Sequence, residues 1–255
     1  MIDKSESSRP ELKRSGAYQI VNVPAGKEDE AICLWKEASA AGFFFNSITG
    51  SNQASIDKVL AESDPVRIAV ANMPALNYQA IYACSSIQDL ILGYDCPWPD
   101  FSKLSRLTRF SAMDIRGDLN ELPQGLVGLS LYGYKGKNLE GLNFMHDLEQ
   151  LDLRMASCLK DLSGVCERMS DLSLAGCPRL QDITALELHR TVKRVSISKC
   201  SRLRNVETIF MLPGLRMLTL DKIPAMVDLR RVNKLNLDFF YVDGHRYGHM
   251  DEGLH

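Results

Sequence analysis

Residues 148–206 read LEQLDLRMASCLKDLSGVCERMSDLSLAGCPRLQDITALELHRTVKRVSISKCSRLRNV. Three short segments in this stretch, Leu148-Leu151-Leu153, Met169-Leu172-Leu174 and Val192-Val195-Ile197, share the spacing L-x-x-L-x-L. After each strand-like segment the apolar residues change to a spacing of three, as in Leu174, Cys177, Leu180, Ile183 and then Ile197, Cys200, Leu203, Val206. A period of two marks a strand, and the period of three after it marks a coil whose side chains keep turning inward. Further copies lie on both sides: Ile87-Leu90-Leu92, Leu107-Phe110-Ala112, Leu126-Leu129-Leu131, Leu215-Leu218-Leu220 and Val232-Leu235-Leu237. From Ile87 onward the copies start 20, 19, 22, 21, 23, 23 and 17 residues apart, and a weaker one, Pro65-Ile68-Val70, stands 22 residues before Ile87.

One coil of this length cannot bury its own apolar edge, whereas stacked coils bury one another's. The pattern resembles the leucine-rich repeat family, with about nine copies over residues 65–241. That resemblance implies an α/β fold, a leucine-rich repeat solenoid (horseshoe) whose strands form a parallel concave β-sheet. The family commonly carries Asn three residues beyond the last strand leucine, where its amide bridges adjacent coils. Here that position reads Met73, Asp95, Ile115, Tyr134, Ala156, Cys177, Cys200, Ile223 and Phe240. The Asn ladder is missing, two of the replacements are Cys, and the pattern is similar to the irregular bacterial-type and cysteine-containing variants of the repeat.

Residues 17–64 are expected to form an N-terminal α/β cap, because a solenoid's end coil would otherwise expose its apolar face. Within it, Ala17–Val23 alternates as a strand and Glu28–Ala41 reads as a helix stopped by Gly42. Phe43–Ile48 reads as a second strand, and Ser51 is placed to cap a short helix carrying Ile56, Val59 and Leu60. Residues 1–16 are expected to be disordered. Asp238–Tyr241 should finish the last strand, leaving 242–255 as a polar tail.

Composition narrows the function by exclusion. The 255 residues carry 30 Lys and Arg against 32 Asp and Glu, a net charge of −2, so no global field selects nucleic acid or an anionic membrane. No secretory-type leader and no long apolar run is present, and seven cysteines contain no C-x-x-C pair, a combination expected of a cytoplasmic protein with reduced thiols. The sequence lacks G-x-S-x-G, H-E-x-x-H and G-x-G-x-x-G, and Gly26-Lys27 lacks the hydroxyl residue and upstream glycine of a phosphate loop. His245 and His249 have metal-pair spacing, but Gly244 and Gly248 argue against the helix that would join them. No catalytic residue, metal or cofactor is expected.

The working surface is then expected on the outward-facing strand positions. Between the two strand leucines stand Ile91, Ser111, Ser130, Asp152, Ser173, Ser196, Thr219 and Asn236, and after the second stand Gly93, Met113, Tyr132, Arg154, Ala175, Ser198, Asp221 and Asp238. Small, charged and aromatic residues mixed in this way suit a protein partner. Charge is also uneven along the chain: residues 140–189 hold nine acids and four bases (−5), and residues 190–234 hold eleven bases and three acids (+8). The binding anchors expected are Tyr132, Asp152, Arg154, Asp171, Arg194, Asp221 and Asp238. The reading is a monomeric, non-enzymatic, cytosolic immunity protein that occludes a cognate bacterial toxin, without nucleic-acid or membrane partners. The alternatives are a leucine-rich repeat adaptor that presents substrates, or an effector injected into host cells.

Overall fold

The structure, a computed structural model, describes residues 9–15, 18–115, 117–224, 235, 237–243 and 245–247. The chain forms two compact units, Met1–Pro123 and Gln124–His255.

In the first unit the strands run β1 (Glu11–Ser15), β2 (Tyr18–Asn22), β3 (Gly42–Asn46), β4 (Arg67–Ala71), β5 (Asp89–Leu92) and β6 (Arg109–Ala112), each beside the next. The β1–β2 pair is antiparallel, and β2 through β6 are parallel. Helices α1 (Glu28–Ala38), α2 (Gln53–Ala61) and α3 (Gln79–Ala83) make the returns between β2 and β3, β3 and β4, and β4 and β5. The stretch expected as a cap is therefore paired into the same parallel sheet as the repeats after it. Trp35 of α1 packs on Phe43 of β3, ring centroids 5.5 Å apart, and Phe43 on Phe45 at 6.1 Å, so aromatic residues fill the places that leucines take later in the chain.

Strands at Glu11–Ser15 and His245–Tyr247 stand where disorder and a polar tail were expected, and two further local expectations change. Helix α1 ends at Ser39, which adopts a left-handed φ of 49° and returns its N–H to the last turn, three residues before Gly42. Asn52 rather than Ser51 caps α2, its side chain accepting from the Ser55 N–H at 3.1 Å. Ser51 is buried instead, donating to the Val23 carbonyl and accepting from the Asn46 N–H. Gly42 is required by close approach rather than as a helix stop, since a Cβ there would lie 1.6 Å from the Arg67 carbonyl oxygen on the neighbouring strand.

In the second unit β7 (Gly128–Tyr132), β8 (Gln150–Arg154), β9 (Asp171–Ala175), β10 (Arg194–Ser198), β11 (Met217–Asp221) and β12 (Phe239–Val242) are parallel neighbours, and β13 (His245–Tyr247) returns antiparallel to β12. The register stacks Leu129, Leu151, Leu172, Val195 and Leu218 in one row and Leu131, Leu153, Leu174, Ile197 and Leu220 in the next. All ten are buried, at 3% exposure or less. Leu159, Leu180 and Leu203, then Leu162, Ile183 and Val206, fill the coil behind them.

The last repeat corrects the sequence reading. Phe240 lies beside Leu218 and Val242 beside Leu220, so the motif there is Leu237-Phe240-Val242, 22 residues after Leu215, and not Val232-Leu235-Leu237. Phe and Val occupy leucine positions, and the leucine pair at Leu235 and Leu237 drew the alignment five residues upstream. Asp238 consequently precedes β12 as an exposed bend residue instead of following a strand. Tyr241 takes the place expected for Asn236 and Asp243 the place expected for Asp238. Asn236 lies outside the described residues, as do Met226, Leu229, Val232 and His249.

Candidate protein-binding face

Five strands of the second unit, β7 to β11, end in the same turn. Gly133 (φ 78°), Met155 (53°), Gly176 (66°), Lys199 (53°) and Lys222 (50°) follow their strands in left-handed conformation. The first four donate to the carbonyl of the next coil's strand end, as Met155 N–H to Ala175 O at 2.8 Å and Lys199 N–H to Asp221 O at 2.8 Å. Lys222 N–H donates to the Asp243 carboxylate at 2.7 Å. The residue after each is buried: Tyr134, Ala156, Cys177, Cys200, Ile223. In the first unit Asn72 (58°) and Asp95 (55°) precede buried Met73 and Cys96 in the same way, so the inward residue of that coil is Cys96 and not Asp95. The hydrogen-bonded neighbour Cys200, with burial, pushes the Cys177 thiol up, and none of the seven cysteines forms a disulfide.

The bridging amide absent from this turn appears on the return side. Asn205 accepts from the Ile183 N–H at 3.2 Å and donates to Asp182 at 2.8 Å, joining two coils. Asp161 and Asp182 open their return turns by accepting from Ser163 and Thr184 N–H at 2.9 and 2.8 Å. A second backbone ladder runs behind, Gln181 N–H to Lys160 O at 2.8 Å and Arg204 N–H to Gln181 O at 3.2 Å.

With both edges of each coil fixed, the odd strand positions face away from the leucines. Ser130, Asp152, Ser173, Ser196, Thr219 and Tyr241 make one outward row of the second unit, all partly exposed. Gln150, Asp171, Arg194 and Met217 flank it on one side, Tyr132, Arg154, Ala175, Ser198 and Asp221 on the other. Six of the seven expected anchors thus share one sheet face, and Asp238 alone leaves it.

The charges on this face are pre-paired. Arg154 Nε donates to Asp152 Oδ2 at 2.9 Å, and Ser130 shares that oxygen at 3.3 Å. Arg194 Nε donates to Asp171 across the neighbouring strand, and the Ser170 hydroxyl donates to the other oxygen of Asp171 at 2.5 Å. The carboxylates are sunk, 24% exposed for Asp152 and 22% for Asp171, while Arg154 and Arg194 stand out at 59% and 57%. Asp152 Oδ1 is covered yet accepts no hydrogen bond. Sequence reasoning picks out these residues as separate anchors. It misses the pairing, because i, i+2 in a strand and equivalent positions of adjacent coils become neighbours only once the register is known.

Among the described residues no three His, Cys, Asp or Glu side chains are placed to hold a metal ion. His146 is exposed, and His189 is partly covered, its pKa lowered by that burial. No described helix is long and apolar enough to cross a membrane.

No family model and no curated protein sequence matches the chain. Among solved structures it is similar to a leucine-rich repeat protein of Leptospira interrogans (16% identity, 74% of this chain and 45% of that one, TM-score 0.43). It is also similar to the internalin InlF of Listeria monocytogenes (12% identity, 84% and 70%, TM-score 0.44) and to the leucine-rich repeat domain of the type III effector XopL (14% identity, 87% and 84%, TM-score 0.49). The chain spans less than half the length of the Leptospira protein. Strand, left-handed turn, a buried residue directly after it and an inward-packed return recur coil after coil, and on that geometry the chain is a leucine-rich repeat protein in fold.

Proposed function

We propose that this chain binds a protein through the outward strand face of its second unit, and that it acts as an immunity protein occluding a cognate toxin. The observation that carries the binding reading is the Asp152–Arg154 pair. Its guanidinium stands in solvent at 59% exposure, and its carboxylate keeps one oxygen without a donor in a sheltered position. A rigid strand holds both groups before any partner arrives, so little ordering cost remains on binding. Small hydroxyl residues around them, Ser130, Ser173 and Ser196, leave room for a partner's side chains. Occlusion of an active site is the mode we favour, because the face offers fixed recognition groups and no catalytic set of its own.

R154E/R194E tests this reading. Both arginines are more than half exposed, and surface ion pairs contribute only about 0–1 kcal/mol each, so the variant should fold and melt close to wild type. Its affinity for the protein that co-purifies with the wild-type chain should fall at least about tenfold. A toxic enzyme as that partner supports the immunity reading, and a multi-subunit ligase or signalling assembly would replace it with the adaptor reading. Unchanged capture by R154E/R194E would move the interface off this face.

A further inference from the structure

The basic residues between Lys160 and Lys222 divide in space. Arg194 is spent on the pair with Asp171, and Lys193 and Arg216 sit just before their strands. A different set follows the strands of the second unit, from the strand-end turn to the return ladder. Lys199 and Lys222 occupy the left-handed position of adjacent coils, Arg179 and Arg202 stand two residues beyond the inward Cys177 and Cys200, and Lys160 and Arg204 lie on the return ladder. All six are exposed, and none forms an ion pair among the described residues. Adjacent coils are about 4.8 Å apart, so four coils place six cations along a ridge on the order of 15 Å.

The ridge contains a hollow of about 510 Å³ lined by Gln181, Ser201, Arg202, Leu203, Arg204 and Pro224. Two guanidinium groups, an amide and a hydroxyl surround it, all able to donate to an anionic oxygen. The acids nearest in the coils are engaged or set apart. Asp161 and Asp182 turn an oxygen inward to the return-turn amides, and Asp221 ends its strand on the outward face.

Resting on the reading of the chain as a protein-binding module, we propose that this ridge is a second recognition surface, which takes an acidic segment of a protein partner and seats a carboxylate in the hollow between Arg202 and Arg204. An acidic protein segment fits better than nucleic acid on two counts. Among the described residues the ridge presents no aromatic side chain on which a base stacks. Asp161 and Asp182, at the return turns of the same coils, suit a mixed protein surface more than a continuous row of phosphates.

The probe is a fluorescein-labelled oligoglutamate peptide titrated with the full chain by anisotropy. Binding should weaken several-fold as salt shortens the Debye length to about 8 Å. R202E/R204E should weaken it at least about tenfold at low salt, and R179E/K199E, built on neighbouring coils, should do the same if the first variant misfolds. Equal binding by wild type and a folded variant overturns the proposal, as does tighter binding of a DNA or RNA oligonucleotide of matching length. The probe is a defined peptide and not the captured partner, so a failure here leaves the R154E/R194E result standing, and the reverse also holds.

Discussion

Arg67→Met is expected to destabilise the first unit by about 3–5 kcal/mol, because it strands a buried carboxylate. Arg67 Nη1 lies 3.2 Å from Asp89 Oδ2 across β4 and β5, with side chains only 11% and 7% exposed. The ring of Tyr18 covers the guanidinium at 4.9 Å. Burial raises the Asp89 carboxyl above its ordinary value of 3.8, against the pull of Arg67 and Arg109. The pair is therefore a poor source of net stability, since desolvation offsets most of the attraction. Breaking it is another matter, because the ion left behind keeps the desolvation cost and loses its counter-charge. The double variant R67M/D89L should regain most of the loss, and a urea double-mutant cycle measures the coupling. The pH dependence has a fixed sign. An acid whose pKa is raised by folding binds its proton more tightly in the folded chain, so the penalty stands in full above the raised value. It is relieved as pH falls from there toward 3.8. R67M should accordingly approach wild-type stability on acidification, and a deficit independent of pH would show that Asp89 is not its source.

That pair also marks a boundary of what the residues disclose on their own. From Leu90 to Leu220 the leucine spacing specified strand, register and outward face, since one repeated demand, an apolar edge buried by its neighbours, governs every coil. The sheet of residues 18–46 obeys the same demand with Val21, Phe43 and Phe45, and with helical returns. Its parallel pairing was hidden because its strands carry no leucine at all and its returns are helices. The same blindness displaced the last repeat, where Phe240 and Val242 stand for leucines. One inserted residue between Leu92 and Asp95 moved the inward position to Cys96. For the face, the chemistry of Asp152, Arg154, Asp171 and Arg194 was legible and their mutual neutralisation was not, because pairing across coils depends on a register that no local pattern carries. The basic ridge was visible only in part, as the net charge of +8 over residues 190–234, because Lys160 and Arg179 belong to the acidic segment before it. Six cations become one surface when coils of 21 to 23 residues bring equivalent positions together.

Leu172→Ala should lower the stability of the second unit by about 2–5 kcal/mol. Leu172 is 2% exposed and lies between Leu151 of β8 and Val195 of β10 in register. Coils support only their neighbours, so a void at this place loosens two interfaces at once and the structure cannot close over it from a distance. The adjacent residues supply the control. Ser173 faces outward and is partly exposed, so Ser173→Ala should change stability by no more than about 0.5 kcal/mol. Leu174, fully buried between Leu153 and Ile197, should repeat the large loss. Urea midpoints for the three variants should therefore run low, near wild type, low, with slopes unchanged. That alternation is the period of the strand read out as free energy. A graded or uniform loss over positions 172, 173 and 174 would contradict the register on which the outward face, and every residue assigned to it, depends.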